Sequence, residues 1–122
     1  MQRYTLDYLE LPSTDGAAER KFMTDAFGWS HTPYGPDYAE VHAGLAVGVD
    51  SSDLRVAAPM PVIRAEDLDA AEQDIAAAGG ILTVPQFDYP GGRRFHFRSP
   101  VSLPFAGWGR VCGLHRKNLT AE

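Results

Sequence analysis

Apolar and polar positions between Tyr4 and Trp29, YTLDYLELPSTDGAAERKFMTDAFGW, change their period once. From Leu6 to Leu11 they alternate. Leu6, Tyr8 and Glu10 share one face of a strand and Asp7, Leu9 and Leu11 the other. Pro12 cannot donate to a strand ladder, so pairing is expected to stop there. Ser13, Thr14 and Asp15 offer side-chain oxygens to the free N–H groups of a helix start, and Asp15 adds negative charge at the positive end of the dipole. Ala18, Phe22 and Ala26 then recur at i, i+4 and i+8, with Phe27 beside them. This predicts a helix whose apolar stripe lies on the strand while Glu19, Arg20, Lys21 and Asp25 stay wet. Gly28 ends it by taking the left-handed conformation cheaply.

The layout returns 52 residues later in MPVIRAEDLDAAEQDIAAAGG, Met60 to Gly80. Asp15 maps to Asp67, Ala18 to Ala70, Ala26 to Ala78 and Gly28 to Gly80. Leu68, Ala71, Ile75 and Ala78 form the second helical stripe and Gly79-Gly80 the stop. Short extended pieces follow each helix. After the first come Ser30 to Pro33, a turn at Gly35-Pro36-Asp37, and a hairpin of Tyr38 to His42 and Leu45 to Val49 around Ala43-Gly44. Asp50 to Leu54 is the polar linker. After the second come Ile81 to Tyr89 with a kink at Pro85, a turn at Pro90-Gly91-Gly92, Arg93 to Arg98, and Leu103 to Trp108. The order is β, α, β, β, β, written twice. One such unit covers only one face of its small sheet. The expected fold class is therefore α+β: two tandem βαβββ modules forming a curved, half-open mixed β-sheet barrel with helices on the outside and a ligand-sized hollow at its concave side.

At 122 residues the chain is expected to be a single domain, with module one at about 4–50, module two at about 58–109 and a tail at 110–122. Its net charge of −5 argues against a general nucleic-acid binder, which needs a basic face. No apolar run nears the ~20 residues of a membrane span, and no signal-peptide pattern opens the chain. Cys112 is alone, so a reducing, cytoplasmic setting is the default and an intrachain disulfide is impossible. Asn118-Leu119-Thr120 matches a glycosylation sequon, read as accidental without a secretion signal.

Leu9-Glu10-Leu11-Pro12 running into Asp15, then Phe27-Gly28-Trp29, resemble the vicinal oxygen chelate superfamily of glyoxalases, bleomycin-resistance proteins and extradiol dioxygenases. So do Glu66-Asp67-Leu68-Asp69-Ala70-Ala71, Ala78-Gly79-Gly80, and Ser99-Pro100 before Phe105-Ala106-Gly107-Trp108. The last stretch departs from the family's Asp-Pro-x-Gly-Asn hairpin, since Ser99 replaces the Asp and Ser102-Leu103 the Gly-Asn. The resemblance implies a homodimer and, in members that do chemistry, a divalent metal held by His or Glu in the first and last strands of each module. Here those places carry Tyr8, Met60, a last strand Gly44 to Val49 without carboxylate or histidine, and Ala106. Phenol, thioether and methyl groups are poor ligands for Zn, Mg, Mn or Fe(II). No metal and no cofactor are therefore expected.

Other groups could carry chemistry. Arg94, His96 and Arg98 share a strand face. They form either an anion site with His96 as acid or base, or the wet face of an edge strand. Glu10, on Tyr8's face, is either a partly desolvated base or a rim residue paired with an arginine. Tyr8, Trp29, Tyr34, Tyr38, Phe87, Tyr89, Phe105 and Trp108 border the expected hollow, with core packing the alternative, above all for Trp29 and Phe105. Cys112 and His115 have zinc spacing but no second pair.

The expected function is metal-independent binding of a small organic ligand, with Tyr8, Met60 and Trp108 as apolar walls and Glu10, Arg94 or His96 as polar anchors. One alternative is a lyase, isomerase or dioxygenase with a shifted metal set drawn from His42, His96, Glu40 and Glu10. Another is a dimeric interaction protein with a vestigial hollow.

Overall fold

A computed structural model describes residues 3–89 and 91–110. The expected Cys112/His115 pair, the sequon at Asn118 and Pro90 of the second turn lie outside the described residues. Among the described residues ten elements follow in chain order: β1 (Tyr4–Pro12), α1 (Gly16–Phe27), β2 (Ser30–Pro33), β3 (Tyr38–Ala43), β4 (Leu45–Asp50), β5 (Met60–Ala65), α2 (Leu68–Ala77), β6 (Ile81–Tyr89), β7 (Gly92–Arg98) and β8 (Pro104–Gly109). This is the α+β class with the βαβββ order written twice. Residues 6–62 form one compact unit, and residues 3–5 with 63–110 form another.

Within the first unit the strands lie in the order β2-β3-β4-β1. β1 runs parallel to β4, with Tyr8 opposite Ala46 and Glu10 opposite Gly48, while β2–β3 and β3–β4 are antiparallel. The parallel pair requires a long crossover, and α1 with β2 and β3 supplies it. The second unit repeats the order as β5-β8-β7-β6. β6–β7 and β7–β8 are antiparallel, and β6 breaks register between Leu82 and Val84 and again between Val84 and Phe87. Pro85 lies in the second break. A residue without an N–H sits there at no loss, because the bulged position makes no ladder bond.

The helix boundaries obey the same chemistry twice. Asp15 Oδ1 accepts from Ala18 N at 3.1 Å and Asp67 Oδ1 accepts from Ala70 N at 3.1 Å. Each is an extended residue closing an orphan donor of its first turn. Gly28 closes α1 at φ 74°, its N–H donating to Thr24 O at 2.8 Å. Gly79 follows α2 at φ 95°, and Gly80 N then donates to Ile75 O at 2.8 Å.

The stripe expected on α1 is corrected. Ala18, Ala26 and Phe27 face solvent and Phe22 is 56% exposed. Met23 and Gly16 are the buried residues of the helix. Met23 packs with Val41, Val47 and Val49, flanked by Leu9, Leu11 and Trp29. The reason is spatial. Gly16 approaches the loop after β4 so closely that a Cβ would stand 2.9 Å from Ser51 Oγ, and this contact sets the helix rotation. Positions 16 and 23, two turns apart, then face the sheet. In α2 three of the four expected positions turn inward: Ala71 is buried with Ala65 and Phe95, and Leu68 and Ile75 pack around them with Phe97, while Ala78 caps the helix and is exposed. Trp29 packs on the first core and Phe105 stacks on Phe97 with centroids 5.2 Å apart, the core role weighed for both.

Candidate functional site

Residues paired across neighbouring strands share a sheet face. Each sheet therefore has a face under its helix and a face away from it, and the six expected site residues can be placed on them. Tyr8, Glu10 and Met60 belong to the first unit, and Arg94, His96 and Trp108 to the second.

In the first unit the helix side carries Leu9, Leu11, Val41, Val47 and Val49. Register puts Tyr8 and Glu10 of β1, Ala46 and Gly48 of β4, and Tyr38, Glu40 and His42 of β3 on the opposite face. The Tyr8 and Tyr38 hydroxyls are hydrogen-bonded to each other. They meet over Gly48, where a Cβ would overlap both oxygens. Gly48 is thus the floor that lets two phenols from different strands converge. Glu10, its partner in register, is 5% exposed and is the buried charged side chain among the described residues. Met60 is also buried, at 3%. His42 binds Thr32 Oγ1 through Nε2 at 2.9 Å, and its Nδ1 lies 3.8 Å from Glu40.

In the second unit Phe95 and Phe97 face α2. The other face is crossed by two rows. Phe87, Arg94 and Trp108 lie side by side on β6, β7 and β8, and so do Val84, His96 and Ala106. The Arg94 guanidinium carbon is 6.0 Å from the Phe87 ring centroid and 5.7 Å from that of Tyr89. These are cation–π distances. Arg64 stands 5.7 Å over Trp108. Arg94 Nη2 lies 3.1 Å from His96 Nε2, and the His96 ring meets Phe87 edge-on at 5.8 Å. Burial first, and then the Arg94 charge, lower the His96 pKa to about 4. The imidazole is neutral at pH 7. A guanidinium can only donate, so Nε2 is the acceptor and the proton sits on Nδ1.

Arg94 and His96 therefore make one hydrogen-bonded unit set among rings, with Trp108 beside it. Arg98, at the end of the same face, is exposed. Arg64 and the Tyr8–Tyr38 pair were not legible as site elements. Both depend on which residues stand opposite each other across strands, and spacing within one strand carries no such signal.

The metal positions implied by the resemblance carry other chemistry here. Tyr8 is engaged with Tyr38, Met60 is buried, β4 carries Ala46 and Gly48 on the relevant face, and Ala106 is a buried methyl. Among the described residues no group of three or more His, Cys, Asp or Glu stands close enough together to hold an ion. The donor set does not fit a divalent metal.

Two cavities stand out, and neither is lined by any of the six residues. One, of about 550 Å³, lies at the start of α1 against Pro12, Ser13, Thr14, Asp53 and Arg55. The other, of about 200 Å³, lies between α2 and the helix side of the second sheet.

No family model and no curated protein match the sequence. Solved structures do match. Methylmalonyl-CoA epimerase from Mycobacterium tuberculosis is 13% identical with a TM-score of 0.68, over 96% of this chain and 91% of its own. A glyoxalase/bleomycin resistance protein/dioxygenase superfamily member from Vibrio splendidus 12B01 is 17% identical with a TM-score of 0.62, over 84% and 95%. The Mn(II)-bound glyoxalase from Novosphingobium aromaticivorans is 22% identical with a TM-score of 0.65, over 87% of this chain but only 38% of that one. At such identities the likeness is one of fold, and the fold of this chain is that of the glyoxalase, bleomycin-resistance and dioxygenase superfamily, the vicinal oxygen chelate fold.

Proposed function

We propose that the protein binds a small organic anion with a flat apolar body, without a metal ion, on the face of the second module that carries Arg94, His96 and Trp108. One observation supports this reading above the others: Arg94, half-buried, is bonded to a neutral histidine and set among Phe87, Tyr89 and Trp108. Guanidinium is planar and matches a carboxylate. His96 Nδ1–H adds a neutral donor. The rings offer stacking area for the rest of the ligand. The solved structures of this fold include a methylmalonyl-CoA epimerase and a Mn(II)-bound glyoxalase. The absence of metal-ligating chemistry at the corresponding positions here favours binding over their reactions.

Calorimetry with 2-naphthoate and its uncharged counterpart 2-naphthamide tests the reading. Naphthoate is expected to bind more tightly than naphthamide, and equally well after treatment with a chelator. Arg94→Met is expected to weaken naphthoate about tenfold or more, the scale of one charge-assisted hydrogen bond, and to leave naphthamide unchanged. Equal binding of the two compounds, or an Arg94→Met variant that binds naphthoate as the parent does, contradicts it.

A further inference from the structure

The cavity of about 200 Å³ in the second unit has a specific origin. Ala71 of α2 packs on Phe95 deep between helix and sheet, whereas Ala78, which caps α2, presents only a methyl group at the rim and leaves the space in front of it unfilled. On the sheet side Phe95 does not fill it either. Phe95 is paired in register with Gly107, and a Cβ on Gly107 would come within 2.8 Å of the Phe95 ring. The ring lies over the glycine, fully buried, at the back of the opening. Ile63, Phe95 and Phe97 give the gap an apolar wall. Such a wall gives water few polar partners, and apolar cavities of this scale take up flat hydrocarbons.

The lining has one charged side chain, Asp74. Its Oδ2 accepts a hydrogen bond from the Tyr4 hydroxyl and lies 3.6 Å from Arg3 Nη2. Both partners of that ion pair are more than half exposed, so the pair is weak and exchangeable. Among the described residues Oδ1 takes no hydrogen bond.

We propose that this cavity is a binding site for a small flat apolar molecule bearing an ammonium group. The body lies against Ile75, Ala78 and Phe97, and the ammonium replaces Arg3 at Asp74. Charge complementarity selects the cation. This site is distinct from the anion-binding face proposed above, which lies on the opposite side of the same sheet, and it does not depend on that reading.

Three probes of similar size and different charge test it: benzylamine, toluene and benzoate, each titrated while the melting temperature is followed. A molecule that binds the native state alone must raise it. Benzylamine is expected to raise it most, toluene less and benzoate not at all. Ala78→Leu, at an exposed position that lines the cavity, is expected to abolish the benzylamine shift by filling the space. Asp74→Asn is expected to reduce the benzylamine shift to that of toluene and leave toluene unchanged. No benzylamine shift, a benzoate shift equal to it, or a shift that survives Ala78→Leu overturns the proposal.

Discussion

At the scale of single residues, position 48 carries the largest consequence for the least chemistry. Gly48 is the floor under the Tyr8–Tyr38 pair, and no side chain fits there without moving both hydroxyls. Gly48→Ala is expected to cost about 1–3 kcal/mol, the usual range for forcing a methyl into packed space. Urea unfolding measures it, and the cost is expected to shrink when Tyr8 and Tyr38 are both replaced by Phe, since the obstructing oxygens are then gone. His96 gives a pH signature. Its pKa is about 4 in the folded chain against an ordinary 6.5, so between these values the unfolded chain binds more protons. The stability that His96 contributes is complete above pH 6.5 and is lost as pH falls toward 4. His96→Gln is expected to flatten the melting temperature across that window, relative to the parent, while changing it little above pH 7. The half-exposed ring makes this a modest effect, reduced by solvent screening. How far individual site residues were legible follows from the same facts. Tyr8 and Glu10 share a face because alternation demands it, and Arg94 shares one with His96 for the same reason. That Glu10 is buried, that Tyr8 meets Tyr38, and that Arg64 covers Trp108 depend on lateral pairing between strands far apart in the chain.

At the scale of elements, the start and stop of each helix could be read directly, because caps are local. Asp15, Asp67, Gly28 and Gly79 act within a few residues of themselves. The buried face of α1 could not. Ala18, Phe22, Ala26 and Phe27 make a better apolar stripe than Gly16 and Met23, yet the second pair faces the sheet. Helical periodicity reports which residues share a side. It does not report which side a tight contact at one end, here Gly16 on Ser51, turns inward. The exposed stripe closes partly on itself, with Phe22 edge-on to Phe27 at 5.7 Å and Phe27 on Trp29 at 4.7 Å. A paired comparison checks this account of α1. Asp15→Ala is expected to lower unfolding free energy by about 1 kcal/mol through the lost cap, whereas Phe22→Ser is expected to stay within about 0.5 kcal/mol. A core position would show the reverse order, with Phe22 costing several kcal/mol.

At the scale of the molecule, two modules of the same topology have diverged in the chemistry of the face away from the helix. The first carries Glu10, Glu40 and a tyrosine pair, and the second Arg64, Arg94, Arg98 and aromatic rings. The repeat explains the fold, since each module lays one helix on one side of four strands. The divergence fits the proposed activity, since a basic, ring-lined surface offers charge and stacking area to a flat anion. The βαβββ order was legible because strands and helices differ in period. In β6 the kink at Pro85 was legible and the break between Leu82 and Val84 was not, because that bulge arises from pairing with β7. Where a flat anion lands is the question on which the functional account rests. Backbone amide chemical shifts of the isotopically labelled, chelator-treated protein, followed during titration with 2-naphthoate, answer it most directly. The account predicts saturable shifts centred on Phe87, Arg94, His96 and Trp108, with the amides of α1 unmoved. Shifts centred on α2 and its cavity, or none at all at millimolar ligand, would contradict it.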